Sequence, residues 1–127
     1  TGSIDAVLRL PGPRFVVVDY KTNWLGPVAE PLTSAHYTPE RLATAMIDAH
    51  YPLQALLYGV ALHRFLRWRL PDYTPGRHLG GTLYLFVRGM CGPATPLVDG
   101  VACGVFGWAP SPALTVALSD LLHGEPT

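Results

Sequence analysis

The chain has 127 residues and a mass of 13.8 kDa, which fits one domain over residues 1–127. Nine basic and nine acidic residues give a net charge of zero, so there is no global positive field for nucleic acid. Hydrophobic residues make up 49% of the chain and charged residues 14%, which excludes a disordered protein. No apolar run could span a membrane and no signal peptide is recognisable, so we expect a cytoplasmic protein without membrane contact.

The beginning of the sequence predicts a β-hairpin. Residues 4–10 mix β-branched and apolar residues and stop at Pro11-Gly12-Pro13, which is typical of a strand followed by a turn. Residues 14–20 predict a second strand, and the three-residue connection favours an antiparallel hairpin. The run Val16-Val17-Val18 indicates burial on both faces, so we expect the second strand in the middle of a sheet.

Two helices are predicted in the middle of the chain, after a loop over residues 22–37. The first covers residues 39–50, with Thr38 as N-cap and a proline at its first position. The second covers residues 52–69 and also begins with a proline. Apolar residues recur in it at helical spacing, which predicts that they pack on the sheet: Leu53, Leu56, Leu57, Val60 and Ala61.

The remaining residues complete a mixed α/β pattern. A turn-rich loop over residues 71–80 precedes a predicted third strand at 81–88. After a stretch rich in glycine and proline, residues 101–108 predict a weak fourth strand and residues 112–123 a final helix. The fold class expected from these elements is α/β, with helices packed on the sheet.

Three ionisable residues on the predicted hairpin form the candidate chemical site. Asp19 and Lys21 are two residues apart and share one face of an extended strand, and hairpin pairing could bring Asp5 beside them. Two neighbouring carboxylates repel unless a cation neutralises them, and carboxylate oxygens with water suit Mg²⁺. An ammonium beside that ion can hold a phosphate oxygen or orient the attacking water. The set therefore suggests metal-assisted phosphodiester hydrolysis.

The same residues also have a simpler interpretation. An Asp-x-Lys pair at the end of a strand is common as a solvated ion pair, worth ~0–1 kcal/mol. Lys21 is nevertheless the only lysine among nine basic residues, which favours a functional role.

Gln54 and Tyr58 are the next candidates, because residues four apart share one face of a helix. From there the amide could hydrogen-bond at the metal edge, and the phenol could point toward a phosphate. The alternative is that Tyr58 is a core residue with its hydroxyl at the rim, while Gln54 is solvated.

Four strings of residues carry a family resemblance. They are residues 2–5 (Gly-Ser-Ile-Asp), 18–26 (Val-Asp-Tyr-Lys-Thr-Asn-Trp-Leu-Gly), 54–58 (Gln-Ala-Leu-Leu-Tyr) and 84–89 (Tyr-Leu-Phe-Val-Arg-Gly). In this order they resemble the C-terminal nuclease domain of the RecB family, within the wider PD-(D/E)xK nuclease superfamily. The resemblance runs over nearly the whole chain.

The resemblance implies a restriction-endonuclease-like fold, a mixed β-sheet flanked by helices. It implies a Mg²⁺-dependent DNA exonuclease and endonuclease core, with Mn²⁺ as a substitute ion, acting in double-strand break repair and recombination. The partners implied are DNA and the RecC-like and RecD-like subunits of a helicase–nuclease complex. Gln54 and Tyr58 match the helix motif that supports the site in this family.

The resemblance also assigns roles on the hairpin. Asp5 matches the first metal-binding aspartate of the family, and Asp19 matches the second. The backbone carbonyl of Tyr20 falls where the family has a further metal ligand. Lys21 matches the catalytic lysine.

The chain departs from the family pattern at its beginning. The family domain has an upstream helix with an acidic residue, and a histidine further back, and we expect both to be missing from this chain, which starts at Thr1. We therefore expect a nuclease domain truncated at its N-terminus, with weak or no activity alone. The uncovered sheet face would leave apolar surface exposed, so we also expect some self-association.

A local basic cluster surrounds the predicted C-terminus of the second helix: Arg64, Arg67, Arg69 and Arg77, with His63 and His78. These arginines could contact DNA phosphates. The simpler interpretation is that cations favour a helix C-terminus through its dipole and lie on a solvated face.

Two other functions remain open. One is a catalytically silent nuclease-like module that binds DNA or partner subunits, and the other is a stand-alone nuclease of the same superfamily. The complete set of Asp5, Asp19 and Lys21 favours an enzyme, because a silent module has no physical need for it.

Overall fold

The computed structural model describes residues 4–123, which form a mixed sheet with helices packed against it. The strands are β1 (Ala6–Leu10), β2 (Arg14–Lys21), β3 (Leu79–Phe86), β4 (Leu97–Val98), β5 (Val101–Ala102) and β6 (Val105–Trp108). The helices are α1 (Pro39–Asp48), α2 (Tyr51–Arg69), the single turn α3 (Pro75–His78) and α4 (Pro112–His123). The predicted α/β class is confirmed, because both helices and a sheet of mixed polarity are present.

The main sheet has the strand order β1-β2-β3-β6. β1 and β2 form the predicted antiparallel hairpin, β2 pairs in parallel with β3, and β3 pairs antiparallel with β6. β2 is therefore an inner strand, and its residues Val16, Val17 and Val18 are buried as the valine run predicted. The parallel register places Asp19 opposite Tyr84 and Lys21 opposite Phe86.

The first two helices follow their predicted boundaries closely. α1 begins at Pro39 as expected, although the side chain of Thr38 makes no capping hydrogen bond. The helix ends at Asp48 instead of residue 50, and α2 begins one residue before the predicted proline. The break occurs at His50, whose φ of 59° is left-handed and cannot continue a right-handed helix.

The predicted inward face of α2 is wrong at three of its five positions. Leu53 and Leu57 are 59% and 45% exposed, and Ala61 is also exposed. The buried positions of the helix are instead Ala55, Tyr58, Val60, Leu62, His63 and Leu66. Because α2 is wedged between the sheet and α4, it buries two faces, and its apolar residues lie on every side. Spacing alone could not choose between these faces.

An apolar stripe on α2 remains exposed. It consists of Leu53, Leu57, Phe65 and Trp68, which are 45% to 75% exposed. Beside it, Ile4 and Val7 line a groove together with Ala61 and Phe65. This surface is of the kind from which self-association was expected.

The end of the chain differs from prediction in one strand. The segment 101–108 is divided into β5, which pairs with β4, and β6, which joins the main sheet. The division occurs at Gly104, where φ is +85° and an added Cβ would lie 2.7 Å from Cγ of Met90. The third strand begins two residues early, at Leu79 directly after α3, and ends two residues early, at Phe86.

Two clusters of buried residues form the core. One consists of Tyr37, Leu42, Met46, Ala55, Tyr84, Phe86 and Cys103, and the other of Val17, Tyr58, Leu62, Leu66 and Leu79. Tyr84 and Tyr58 thus belong to different clusters, and both face the candidate site described below. Within residues 4–123, no helix is long and apolar enough to cross a lipid bilayer.

The buried imidazole of His63 makes a pH-dependent contribution to stability. Its Nδ1 lies 2.7 Å from the Tyr73 hydroxyl, and its Nε2 has no hydrogen-bond partner among the described residues. Burial, reinforced by the charge of Arg67, lowers the pKa of His63 below its ordinary value, against an opposing effect of Asp120. The unfolded chain therefore binds a proton at this residue more readily than the folded chain.

We expect the free energy of unfolding to be fully maintained above pH 6.5 and to fall as the pH decreases below about 6.5. In His63→Gln the fall should be shallower, because glutamine does not titrate. Chemical denaturation at a series of pH values measures this slope. His50→Asn, which replaces an exposed histidine, is the control for removing an imidazole. Equal slopes in wild type and His63→Gln would contradict the assignment.

Candidate active site

Asp19 is the centre of the candidate site. It lies near the C-terminal end of β2 and is only 4% exposed. Its Oδ2 accepts a hydrogen bond of 2.8 Å from the Tyr58 hydroxyl, and the Lys21 ammonium lies 3.3 Å from the same oxygen. A buried carboxylate is costly unless it is paired and hydrogen-bonded, and these two groups provide the pairing.

Lys21 and Gln54 extend the cluster from strand to helix. The Lys21 ammonium donates to Oε1 of Gln54 at 3.4 Å, and only 14% of the lysine side chain is exposed. Asp19 and Lys21 lie two apart on β2, and Gln54 and Tyr58 lie four apart on α2. Each pair shares a face of its element, as predicted, and the two faces meet.

Asp5 lies one residue before β1 rather than within it. The hairpin register pairs Ala6 with Val18, so continuing it by one residue brings Asp5 opposite Asp19. Oδ2 of Asp5 accepts a hydrogen bond of 2.9 Å from the backbone N–H of Tyr20. Because the N–H and C=O of a strand residue point to the same edge, the Tyr20 carbonyl faces the side on which Asp5 lies.

The Tyr58 hydroxyl responds to both carboxylates. Burial is the largest cause that raises the pKa of Tyr58, followed by the hydrogen bond to Asp19 and the charges of Asp19 and Asp5. The phenol therefore remains protonated at neutral pH and acts as a donor to Asp19. The hairpin register, which brings Asp5 opposite Asp19, agrees with both charges acting on this hydroxyl.

The residue types at this edge fit a hard divalent cation. Asp5 and Asp19 offer carboxylate oxygens, and the Tyr20 carbonyl is a further oxygen on the same side. Within the described residues, no three His, Cys, Asp or Glu side chains are grouped as metal ligands. Carboxylate and carbonyl oxygens are the ligands that Mg²⁺ takes in proteins, with waters completing its coordination.

Tyr51 and Tyr84 also contact the site, although the sequence analysis assigned neither of them a role. The Tyr84 hydroxyl donates toward Oε1 of Gln54 at 3.2 Å, and the Tyr51 ring lies beneath the Lys21 ammonium. Tyr51 could have been found from its position three residues before Gln54, on the same helix face. Tyr84 could not, because only the parallel register brings it beside Asp19.

Two of the candidate DNA-binding arginines are used within the fold. Arg64 donates to the hydroxyl and the backbone oxygen of Ser119, at 3.0 and 2.9 Å, and so ties α2 to α4. Arg77 donates to the Gly12 carbonyl at 2.8 Å and braces the hairpin turn. This turn is at the opposite end of β2 from Lys21, so Arg77 does not join the aspartate cluster.

The other two arginines lie at the far end of α2. Arg67 and Arg69 are exposed and follow Tyr58 by nine and eleven residues, which is about 14 to 17 Å along a helix. The Arg69 guanidinium lies 5.1 Å from the Trp68 ring. The structure therefore does not bring these residues together with the carboxylates, and a DNA contact there stays a prediction.

The fold and the site together define an α/β protein with two aspartates and a lysine clustered at one edge of a mixed sheet. No protein-family model matches the chain. Individual proteins do match it. The RecBCD enzyme subunit RecB of Mycobacterium tuberculosis H37Rv is 67% identical over 121 residues, which is 95% of this chain and 11% of that protein.

Two further relatives carry the same name. The RecB subunit of Mycolicibacterium smegmatis is 61% identical over 125 residues, covering 98% of this chain and 11% of that protein. The RecB subunit of Escherichia coli K12 is 47% identical over 89 residues, covering 70% and 7%. The chain belongs to the RecB family, so the predicted resemblance to RecB is confirmed. It spans about a tenth of the length of these relatives.

Proposed function

We propose that this chain is the nuclease core of a RecB-type subunit and hydrolyses phosphodiester bonds of DNA with Mg²⁺ in a PD-(D/E)xK fold. The observation that carries the proposal is the meeting of Asp5, Asp19 and Lys21 at one edge of the sheet. Gln54 and Tyr58 support this set from α2. The mixed sheet flanked by helices is compatible with such a fold.

The relatives suggest the biological setting. They are named as subunits of the RecBCD enzyme. We therefore propose DNA as the substrate, RecC-like and RecD-like subunits as partners, and double-strand break repair and recombination as the process. Because the chain matches only 11% of the mycobacterial relatives, we expect weak or no cleavage by the 127 residues alone.

Asp5 and Asp19 would hold the Mg²⁺ ion, with the Tyr20 carbonyl as a further protein ligand. Mn²⁺ should substitute for it, because carboxylate and carbonyl oxygens suit both ions. When bound, the ion supplies Lewis-acid polarisation of the phosphoryl group and a bound water that is more easily deprotonated. The protein contributes the spacing of the carboxylates, which the β1–β2 hairpin sets.

Lys21 stabilises negative charge on the phosphate. Its ammonium lies 3.3 Å from Oδ2 of Asp19 and is mostly buried, so its charge acts in a medium of low dielectric constant. From that position it can donate to a non-bridging phosphate oxygen as charge develops there, or hold the attacking water. A positioned donor of this kind needs no reorganisation during the reaction.

Tyr58 and Gln54 hold the reacting groups in place. The protonated Tyr58 hydroxyl donates to Asp19 and restricts rotation of its carboxylate. The side-chain amide oxygen of Gln54 accepts a hydrogen bond from the Lys21 ammonium. Neither residue needs to exchange a proton with the substrate. Their contribution is to fix the carboxylate and ammonium in one geometry.

The proposal is tested first by metal binding. We expect Mn²⁺ titrated into the 127-residue chain to give a saturable calorimetric signal that Mg²⁺ competes away. Asp5→Asn should weaken Mn²⁺ binding about tenfold or more, because it removes the charge of one ligand. Asp72→Asn, in an exposed turn, is the matched control and should bind as the wild type does.

Three outcomes would count against the proposal. If Mn²⁺ did not bind saturably, the proposed metal site in this chain would be wrong. Binding that is unchanged in Asp5→Asn would place the metal elsewhere. Binding without any DNA cleavage, when the chain replaces the matching segment of the Mycolicibacterium smegmatis RecB subunit, would identify the silent module instead.

A further inference from the structure

Two tyrosine rings contact the Lys21 ammonium. Its Nζ lies 4.1 Å from the centroid of the Tyr51 ring and 5.5 Å from that of Tyr84. The two rings stack nearly parallel, with centroids 5.6 Å apart and planes inclined by 11°. Both distances are within the range of a cation–π interaction, which attracts a cation to the face of an aromatic ring.

We propose that Tyr51 and Tyr84 form an aromatic shelf that positions the Lys21 ammonium beside Asp19, and that both are positioning residues for DNA hydrolysis. This inference rests on the function proposed above. Neither tyrosine needs to touch the substrate. The shelf acts by restricting the position of the Lys21 ammonium when the DNA phosphate binds.

The shelf is itself held rigidly. Tyr84 is fully buried in β3, and its hydroxyl donates toward the Tyr51 backbone carbonyl and Oε1 of Gln54, both at 3.2 Å. At the other end of the Tyr51 ring, the Asn23 amide lies 3.5 Å from the phenol oxygen. Tyr51 is therefore held in three ways: its backbone carbonyl accepts from Tyr84, its ring stacks on the Tyr84 ring, and its hydroxyl contacts Asn23.

The Tyr84 hydroxyl also orients the acceptor for the lysine. Oε1 of Gln54 accepts hydrogen bonds from both the Tyr84 hydroxyl and the Lys21 ammonium. The oxygen of the amide, and not its nitrogen, therefore faces the ammonium. Burial, followed by the charge of Asp19, raises the pKa of Tyr84, which keeps the hydroxyl a neutral donor. Tyr84 thus contributes to both contacts of Lys21: its ring lies near the ammonium, and its hydroxyl orients the Gln54 oxygen that accepts from the ammonium.

A lysine needs such restraint more than most residues. Its four-carbon stem has many rotamers, and its ammonium is a point charge with three donors and no fixed plane. Asp19 and Gln54 take two of the three donors. The aromatic rings restrict the rotamers of the lysine side chain, and the third N–H group of its ammonium is available to a phosphate oxygen.

The positioning can be read directly, because Lys21 is the only lysine in the sequence. In the 127-residue chain with ¹³C-labelled lysine, one set of ε-CH₂ signals is expected, shifted upfield by the Tyr51 ring current. Tyr51→Phe keeps the ring and should keep this shift, whereas Tyr51→Leu should lose it. A random-coil ε-CH₂ position in the wild type, or an unchanged shift in Tyr51→Leu, would overturn the shelf.

Cleavage provides the second readout, with the chain placed in the Mycolicibacterium smegmatis RecB subunit. Tyr51→Leu should lower kcat about tenfold with KM nearly unchanged, and Tyr51→Phe should restore kcat to within about twofold. Equal kcat in wild type and Tyr51→Leu would overturn the positioning role while leaving the nuclease function intact. An inactive wild type would overturn the nuclease function, while the NMR shift would still report on the shelf.

Discussion

Asp19→Asn is expected to lower DNA cleavage by about 10³-fold in the Mycolicibacterium smegmatis RecB subunit that carries this chain. Asparagine has the shape of aspartate but no charge, so it cannot neutralise a divalent ion. It also removes the charge that pairs with Lys21. Initial rates on linear DNA at saturating Mg²⁺ measure the loss, and calorimetry with Mn²⁺ on the isolated chain should show binding disappear in parallel.

The substitution should not unfold the protein. The loss of the ion pair with Lys21 should lower the free energy of unfolding, but the amide oxygen can still accept from Tyr58, and Lys21 keeps its contact with Gln54. Thermal unfolding of wild type and variant checks this expectation. Asp72→Asn controls for the loss of one exposed negative charge and should cleave at the wild-type rate. Wild-type cleavage by Asp19→Asn would contradict the active-site assignment.

The parts of the fold that could be predicted are those with local causes. The β1–β2 hairpin follows from the Pro-Gly-Pro turn, and the inner position of β2 follows from three consecutive valines. The start of α1 follows from Pro39, whose ring favours the first turn of a helix. In each case a few neighbouring residues restrict the backbone enough to decide the element.

The parts that could not be predicted depend on distant contacts. α2 has apolar residues on all sides, so its buried face is decided by where the sheet and α4 lie. The division of 101–108 into β5 and β6 depends on Gly104 lying against Phe86 and Met90. No spacing within either segment carries that information.

The candidate site divides in the same way. The i, i+2 relation of Asp19 and Lys21 and the i, i+4 relation of Gln54 and Tyr58 could be derived from the sequence, and both pairs meet in the structure. Tyr84 could not be derived, because its place beside Asp19 depends on a parallel pairing between strands separated by more than fifty residues.

Lys21→Met is expected to separate metal binding from catalysis. Methionine has a similar length and no charge, so the stem can still pack while the donor to the phosphate is lost. We expect kcat for DNA cleavage to fall about 10²- to 10³-fold, which is typical of removing one positioned donor. Mn²⁺ binding to the isolated chain should persist, because Asp5 and Asp19 are unchanged.

The control for Lys21→Met is Arg41→Met, which removes a positive charge from an exposed position on α1. A general loss of attraction for DNA would affect both variants alike and would appear mainly in KM. A loss in kcat confined to Lys21→Met identifies a charge that acts on the reacting phosphate. If both variants lost activity equally, Lys21 would be part of a diffuse electrostatic surface, and its contacts with Asp19, Gln54 and Tyr51 would be structural.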